Sequence, residues 1–106
     1  MDNIIIYCNT DSLTNAEHIA EILVENKLAP TVNILPPIKS IYRWKGKVIK
    51  ASEYTLIIKT QKHLYNKIKE KIEDLHPYEL PEIISVNIDQ ASPEYISWIQ
   101  QNITKQ

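Results

Sequence analysis

Residues Ile4-Ile5-Ile6-Tyr7-Cys8 form an unbroken apolar, β-favouring run, the pattern of a strand covered on both faces. Asn9-Thr10-Asp11-Ser12 interrupts it, and helical spacing follows. Ala16, Ile19, Ala20, Leu23, Val24 and Leu28 make one apolar stripe, with Glu17, Glu21 and Glu25 on the opposite side. Thr14 and Glu17 have the separation of a capping box, so Thr14 is the expected N-cap, and Pro30 marks the helix as finished. From Thr31 the period becomes that of strands. Val32-Asn33-Ile34-Leu35 is a short piece, and Pro36-Pro37, which cannot donate to a ladder, implies a bulge or an edge. Ile38 to Trp44 resumes the strand, with Ser40, Tyr42 and Trp44 facing one way and Lys39, Ile41 and Arg43 the other. Lys45-Gly46 is the turn, and the return strand ends in Glu53 to Thr60. Thr60 is placed to cap a second helix with the stripe Leu64, Ile68, Ile72 and Leu75, which His76-Pro77 stops. Ile83 to Ile88 is the last strand. Ser92 and Pro93 then provide an N-cap and first helical position for a terminal helix carrying Tyr95, Ile96, Ile99 and Ile103.

This order predicts an α+β chain of the ferredoxin-like, split βαβ type: βαββαβ plus a C-terminal helix, with a long central β-hairpin. At 106 residues it is expected to form one domain, residues 1–106. Each hairpin arm, about 14 residues at ~3.3 Å per residue, reaches roughly 46 Å. A compact chain of this size is only about 33 Å across. A straight hairpin therefore overhangs its own domain, and its unpaired edges and exposed Ile, Tyr and Trp point to pairing with another copy. A kink at Pro36-Pro37 that folds the arm back is the alternative.

Composition narrows the chemistry. A net charge of −1 provides no global field for nucleic acid or membrane. The single glycine, Gly46, excludes glycine-rich nucleotide loops. The single cysteine, Cys8, excludes an internal disulfide or a C-x-x-C site. With no secretory apolar segment and no apolar run near 18 residues, a cytoplasmic location is expected. No nucleophile elbow or H-E-x-x-H motif occurs, so a non-catalytic protein requiring no cofactor is expected.

Four features carry candidate chemistry. The hairpin segment Lys39 to Lys50 holds five basic residues and no acid, with Tyr42 and Trp44 between them. Such ribbons bind nucleic acid, but near-neutral net charge favours a solvated tip whose lysines discourage aggregation. His76-Pro77-Tyr78-Glu79-Leu80-Pro81-Glu82 puts an imidazole and two carboxylates in a proline-braced loop. Imidazole suits copper and zinc, although the spacing closes no tetrahedral site and by spacing alone a structural His at the helix end is the better fit. Cys8 is the only soft ligand, or else a buried apolar filler. Glu53 and Lys59 share a face of one strand too far apart to pair, so each needs a partner elsewhere if buried.

Ser40-Ile41-Tyr42-Arg43-Trp44-Lys45-Gly46-Lys47, Leu56-Ile57-Ile58-Lys59-Thr60 and His76-Pro77-Tyr78-Glu79-Leu80-Pro81-Glu82-Ile83 resemble the CutA family of divalent-cation tolerance proteins. Leu28-Ala29 leading into Val32-Asn33-Ile34, together with Glu53 and Tyr95-Ile96-Ser97-Trp98-Ile99, extends the likeness along nearly the whole chain. The resemblance implies a ferredoxin-like subunit in a homotrimer whose hairpins reach neighbouring subunits, linked to copper and other divalent ions. Carried onto this chain, it matches His76 to the His of the H-P-Y motif and Cys8 to a thiol that some relatives have; these two with Glu79 are the expected metal ligands. Two positions depart from the family pattern. Thr31 stands where many members have a cysteine, and Lys50-Ala51-Ser52 replaces a stretch that is often acidic. The fold also resembles the PII signalling trimers, which implies a rival role: a small anionic ligand or nucleotide held between subunits by Lys59, Arg43 and Tyr42.

Overall fold

The structure is a computed structural model that describes residues 2–105. Strand β1 (Asn3–Thr10) leads into helix α1 (Leu13–Glu25), then strands β2 (Thr31–Ile34), β3 (Ile38–Trp44) and β4 (Lys47–Gln61). A 3-10 turn (Lys62–Leu64), helix α2 (Tyr65–Leu75), strand β5 (Ile84–Asn87) and helix α3 (Pro93–Gln101) complete the order. The strands lie β2-β4-β1-β5, every pair antiparallel, with β3 on the outer half of β4. This is the ferredoxin-like arrangement that the element order predicts.

β2 and β3 are two halves of one broken strand. Ile34 faces Leu56 and Ile38 faces Glu53, so Leu35, Pro36 and Pro37 lie opposite only Tyr54 and Thr55. One extra residue on one side of a ladder is a bulge, set here where two prolines have no N–H to donate. The arm does not fold back. Beyond the bulge β3 and β4 run on to a two-residue turn, with Lys45 (φ 49°) and Gly46 (φ 80°) both in the left-handed region. The molecule measures 44 × 25 × 22 Å, elongated by this ribbon.

The core lies on one face of the sheet. Ile4, Ile6, Cys8, Leu56 and Ile58 alternate inward against Ala16, Ile19 and Leu23 of α1 and Ile68 and Ile72 of α2. The unbroken apolar run of β1 predicts cover on both faces, but this chain covers only one. Register puts Ile5, Tyr7, Ile57, Ile84 and Val86 together on the other face, where β5 is exposed along its whole length. The structure therefore explains the run only if something else covers that second face.

Two helix starts differ from the expected ones. Ser12, not Thr14, caps α1: its hydroxyl accepts the Asn15 amide at 3.1 Å, leaving Thr14 inside the first turn. Both residues suit a cap, and the extended backbone at Ser12 decides between them. Ser12→Ala is expected to cost about 1 kcal/mol in urea unfolding, whereas Thr14→Ala should stay within about 0.5 kcal/mol. Thr60 does not cap α2. It remains in β4, buried, with its hydroxyl donating to the Leu28 carbonyl at 2.7 Å, and the 3-10 turn intervenes before the helix. Ser92 and Pro93 open α3 as the sequence predicts, the Ser92 hydroxyl accepting the Tyr95 amide.

Candidate functional site

The end of α2 fixes the loop that the sequence marks as chemically dense. Pro77 keeps His76 out of helical geometry (φ −84°, ψ 137°), which turns the imidazole inward. Its Nε2 lies 2.6 Å from the Asn9 carbonyl, and its Nδ1 accepts the Tyr78 amide at 3.1 Å. An acceptor at Nδ1 requires the proton on Nε2, so the ring is the neutral Nε2–H form donating to Asn9. Both ring nitrogens are thereby engaged. His76 is buried, and Tyr78 packs edge-on against it at 4.6 Å.

Tyr78 carries the connection onward. Its hydroxyl donates to Glu53 Oε2 at 2.7 Å. Burial, followed by this bond, holds the Tyr78 hydroxyl well above its ordinary ionisation range. Glu53 is only 5% exposed, and its carboxylate has no cation within salt-bridge reach among the described residues. Ile38↔Glu53, Tyr42↔Ile49 and Trp44↔Lys47 are cross-strand pairs an even number of residues apart, so Glu53, Tyr42 and Trp44 share a face of the hairpin. The loop Tyr78 to Glu82 stands over that face and closes a cleft of about 630 Å³. Glu53, Glu79 and Glu82 all line it. Glu79 is well exposed and meets Lys45 at 3.8 Å.

Cys8 lies behind this cleft with no solvent exposure. Its thiol is directed at the same Asn9 carbonyl that His76 uses, at 3.8 Å. Burial pushes the thiol up to about 12, with Glu82 and Glu53 adding to the effect. The structure thus brings Cys8 and His76 to one carbonyl, both as donors, and leaves Glu79 outside at the rim. Among the described residues no three His, Cys, Asp or Glu side chains gather in a metal-binding group. The residues grouped for an anionic ligand are also divided. Lys59 bonds the Asn33 side chain at 3.0 Å on the main sheet, apart from Tyr42 and Arg43, which both line the cleft, Arg43 also reaching the Gly46 carbonyl at 3.5 Å. The basic hairpin tip is partly self-engaged, with the Lys45 ammonium 5.7 Å from the Trp44 ring centre.

The raised thiol has a measurable consequence. Ordinary cysteine ionises near 9.0, so above that pH the unfolded chain loses a proton that the folded chain keeps to about 12. Stability contributed by the neutral thiol is complete below pH 9 and is lost as pH rises towards 12. The slope is roughly 1.4 kcal/mol per pH unit for one group. Urea unfolding between pH 8 and 11 should show the decline, and Cys8→Ala should make it shallower.

A family model described as CutA1 divalent ion tolerance protein matches residues 4–102. The "Divalent-cation tolerance protein CutA" of Thermus thermophilus is 45% identical over 87 residues, 82% of this chain and 84% of that protein. "Protein CutA, chloroplastic" of Arabidopsis thaliana is 36% identical over 100 residues, 94% of this chain but 55% of the longer plant protein. A solved structure of "the Periplasmic divalent cation tolerance protein CutA from Archaeoglobus fulgidus" superposes with a TM-score of 0.93 at 35% identity, covering 96% of this chain and 99% of that one. One relative is named chloroplastic and another periplasmic, so the likeness fixes no compartment, and the expected cytoplasmic location has no support from it. No helix among the described residues is long and apolar enough to cross a membrane.

Proposed function

Because this chain belongs to the CutA1 divalent ion tolerance family, we propose that it acts as a non-catalytic homotrimer that binds a divalent cation, copper being the first to test, at the acid-lined cleft beneath the loop Tyr78 to Glu82. The observation that carries this reading is the imbalance of charge in the cleft. Three carboxylates line it against one guanidinium, Arg43, and among the described residues only Glu79 has a basic partner within salt-bridge reach, Lys45. An excess of carboxylates around a partly enclosed space, Glu53 buried and Glu79 and Glu82 exposed at its rim, favours a cation from outside.

In this reading Glu79 and Glu82 are the protein's ligands and water completes the coordination, as hard and borderline ions tolerate. His76 acts as a positioning residue, since its two nitrogens hold Asn9 and Tyr78. Cys8 reaches an ion only through local opening, because its thiol is buried and protonated at neutral pH. Affinity is accordingly modest. The trimer is supported by the open sheet face, whose apolar residues Ile5, Tyr7, Ile57, Ile84 and Val86 a second copy would cover. It is supported also by the hairpin, which projects beyond the protomer's own sheet.

The test is an equilibrium Cu(II) titration against a competing chelator, with the parent and the double variant Glu79→Gln/Glu82→Gln. Saturable binding by the parent, weakened about tenfold or more in the variant, is the expected result. Equal binding by both proteins would remove the ion from this loop.

A further inference from the structure

The cleft differs from a bare ion site in two ways. Glu53 does not join Glu79 and Glu82 in one ligand set, since no three acidic, His or Cys side chains among the described residues form a metal-binding group. Its walls are aromatic: Tyr42 and Trp44 rise from the same hairpin face as Glu53, and Tyr78 closes the inner end. A small inorganic ion has no use for such walls. An organic cation uses both features, laying an apolar stem on the rings while its charged heads reach separated carboxylates.

Glu53 is the inner anchor. It is buried, with only 5% of its surface exposed, and one oxygen accepts the Tyr78 hydroxyl. The other oxygen, Oε1, has no hydrogen-bond donor among the described residues, yet it is not among their fully enclosed, unpartnered atoms. Glu53 is also one of the residues that line the cleft. A buried carboxylate with one free, accessible lone-pair face and no counter-ion is an incomplete interaction whose natural complement is an N–H cation. Glu82, exposed on the loop, provides a second unpaired carboxylate in the same lining, where Arg43 is the one basic side chain. The available volume, about 630 Å³, lies in the range of small-molecule sites.

We infer that this cleft binds a linear aliphatic diamine or similar organic dication, with one ammonium on Glu53, the methylene stem along Tyr42 and Trp44, and the second ammonium on Glu82 or Glu79. The inference rests on the reading of the cleft as a cation site, and it names a ligand class that a divalent metal does not cover. The neighbouring subunit's basic hairpin is the competing source of the missing positive charge.

The experiment is calorimetric titration of the intact oligomer with 1,5-diaminopentane in the presence of excess EDTA, with 1,5-pentanediol as the uncharged control. Saturable binding by the diamine alone, at least about tenfold weaker in Glu53→Gln and several-fold weaker in Trp44→Leu, is expected. Trp44→Leu leaves the carboxylates in place and so tests the aromatic wall even if Glu53→Gln folds poorly. Absence of saturable diamine binding, equal binding of the diol, or unchanged binding in both variants would overturn the inference. Copper titration of the same samples without EDTA separates the two readings, because metal binding with no diamine response contradicts this inference alone.

Discussion

His76→Ala is expected to lower the unfolding free energy by about 3 kcal/mol, a large loss for a single side chain near the surface of a small protein. Two hydrogen bonds disappear together, leaving the Asn9 carbonyl with only the long contact from the Cys8 thiol and the Tyr78 amide without its imidazole acceptor. Each buried, unsatisfied group costs about 1–3 kcal/mol. The edge-on packing with Tyr78 contributes about another 0.5–1.5 kcal/mol. His76→Gln can restore a donor towards Asn9 but not the acceptor for Tyr78, so it should recover only part of the loss. Urea unfolding of the three proteins at about pH 7.5 measures this. A loss within about 0.5 kcal/mol for His76→Ala would show that the imidazole does not fasten the loop.

Ile84→Lys/Val86→Lys is expected to dissociate the proposed trimer. Both residues are half exposed in the protomer, and as isolated surface positions their replacement would shift stability by only about 0.5 kcal/mol each. In the proposed assembly they lie in the buried centre of an interface alongside Ile5, Tyr7 and Ile57. Two desolvated, unpaired ammonium groups there cost far more than the removal of two apolar side chains alone. Sedimentation velocity should give a species of one third the parent mass. A variant that keeps the parent's mass would move the interface elsewhere.

The fold was legible because its elements carry strong periods. The stripes of α1 and α2, the alternation around the hairpin and the pair Ser92-Pro93 each name a structure with a physical cause. Pro36-Pro37 announced the bulge, since no ladder hydrogen bond is available there. The ends were less legible where chemistry offered two solutions. Ser12 and Thr14 both suit an N-cap, and only the backbone path into α1 chooses. Thr60 has the right side chain for a cap, but its hydroxyl is held in the core by Leu28.

The site divides in the same way. His76 stood out, but its main partner, Asn9, is 67 residues away and no local spacing could name it. Glu53 was recognisable only as a charge needing a partner. A stronger signal was present: a two-residue turn at Lys45-Gly46 fixes the hairpin register, which sets Glu53 opposite Ile38 and on the face of Tyr42 and Trp44. The second half of its environment, Tyr78 and Glu82, comes from a loop that only the packed α2 brings over. Cys8 could be read as ligand or filler, and its place on the helix-covered face of β1 decides what solvent can reach it.

The most direct test of the assembly and its ion together is native mass spectrometry of the protein titrated with Cu(II), beside the Glu79→Gln/Glu82→Gln variant. The expected result is a trimer that takes up a defined number of copper ions, one per cleft, and a variant trimer that takes up none at the same metal concentration. A monomer, or a trimer whose copper uptake is the same with and without the two carboxylates, would contradict it.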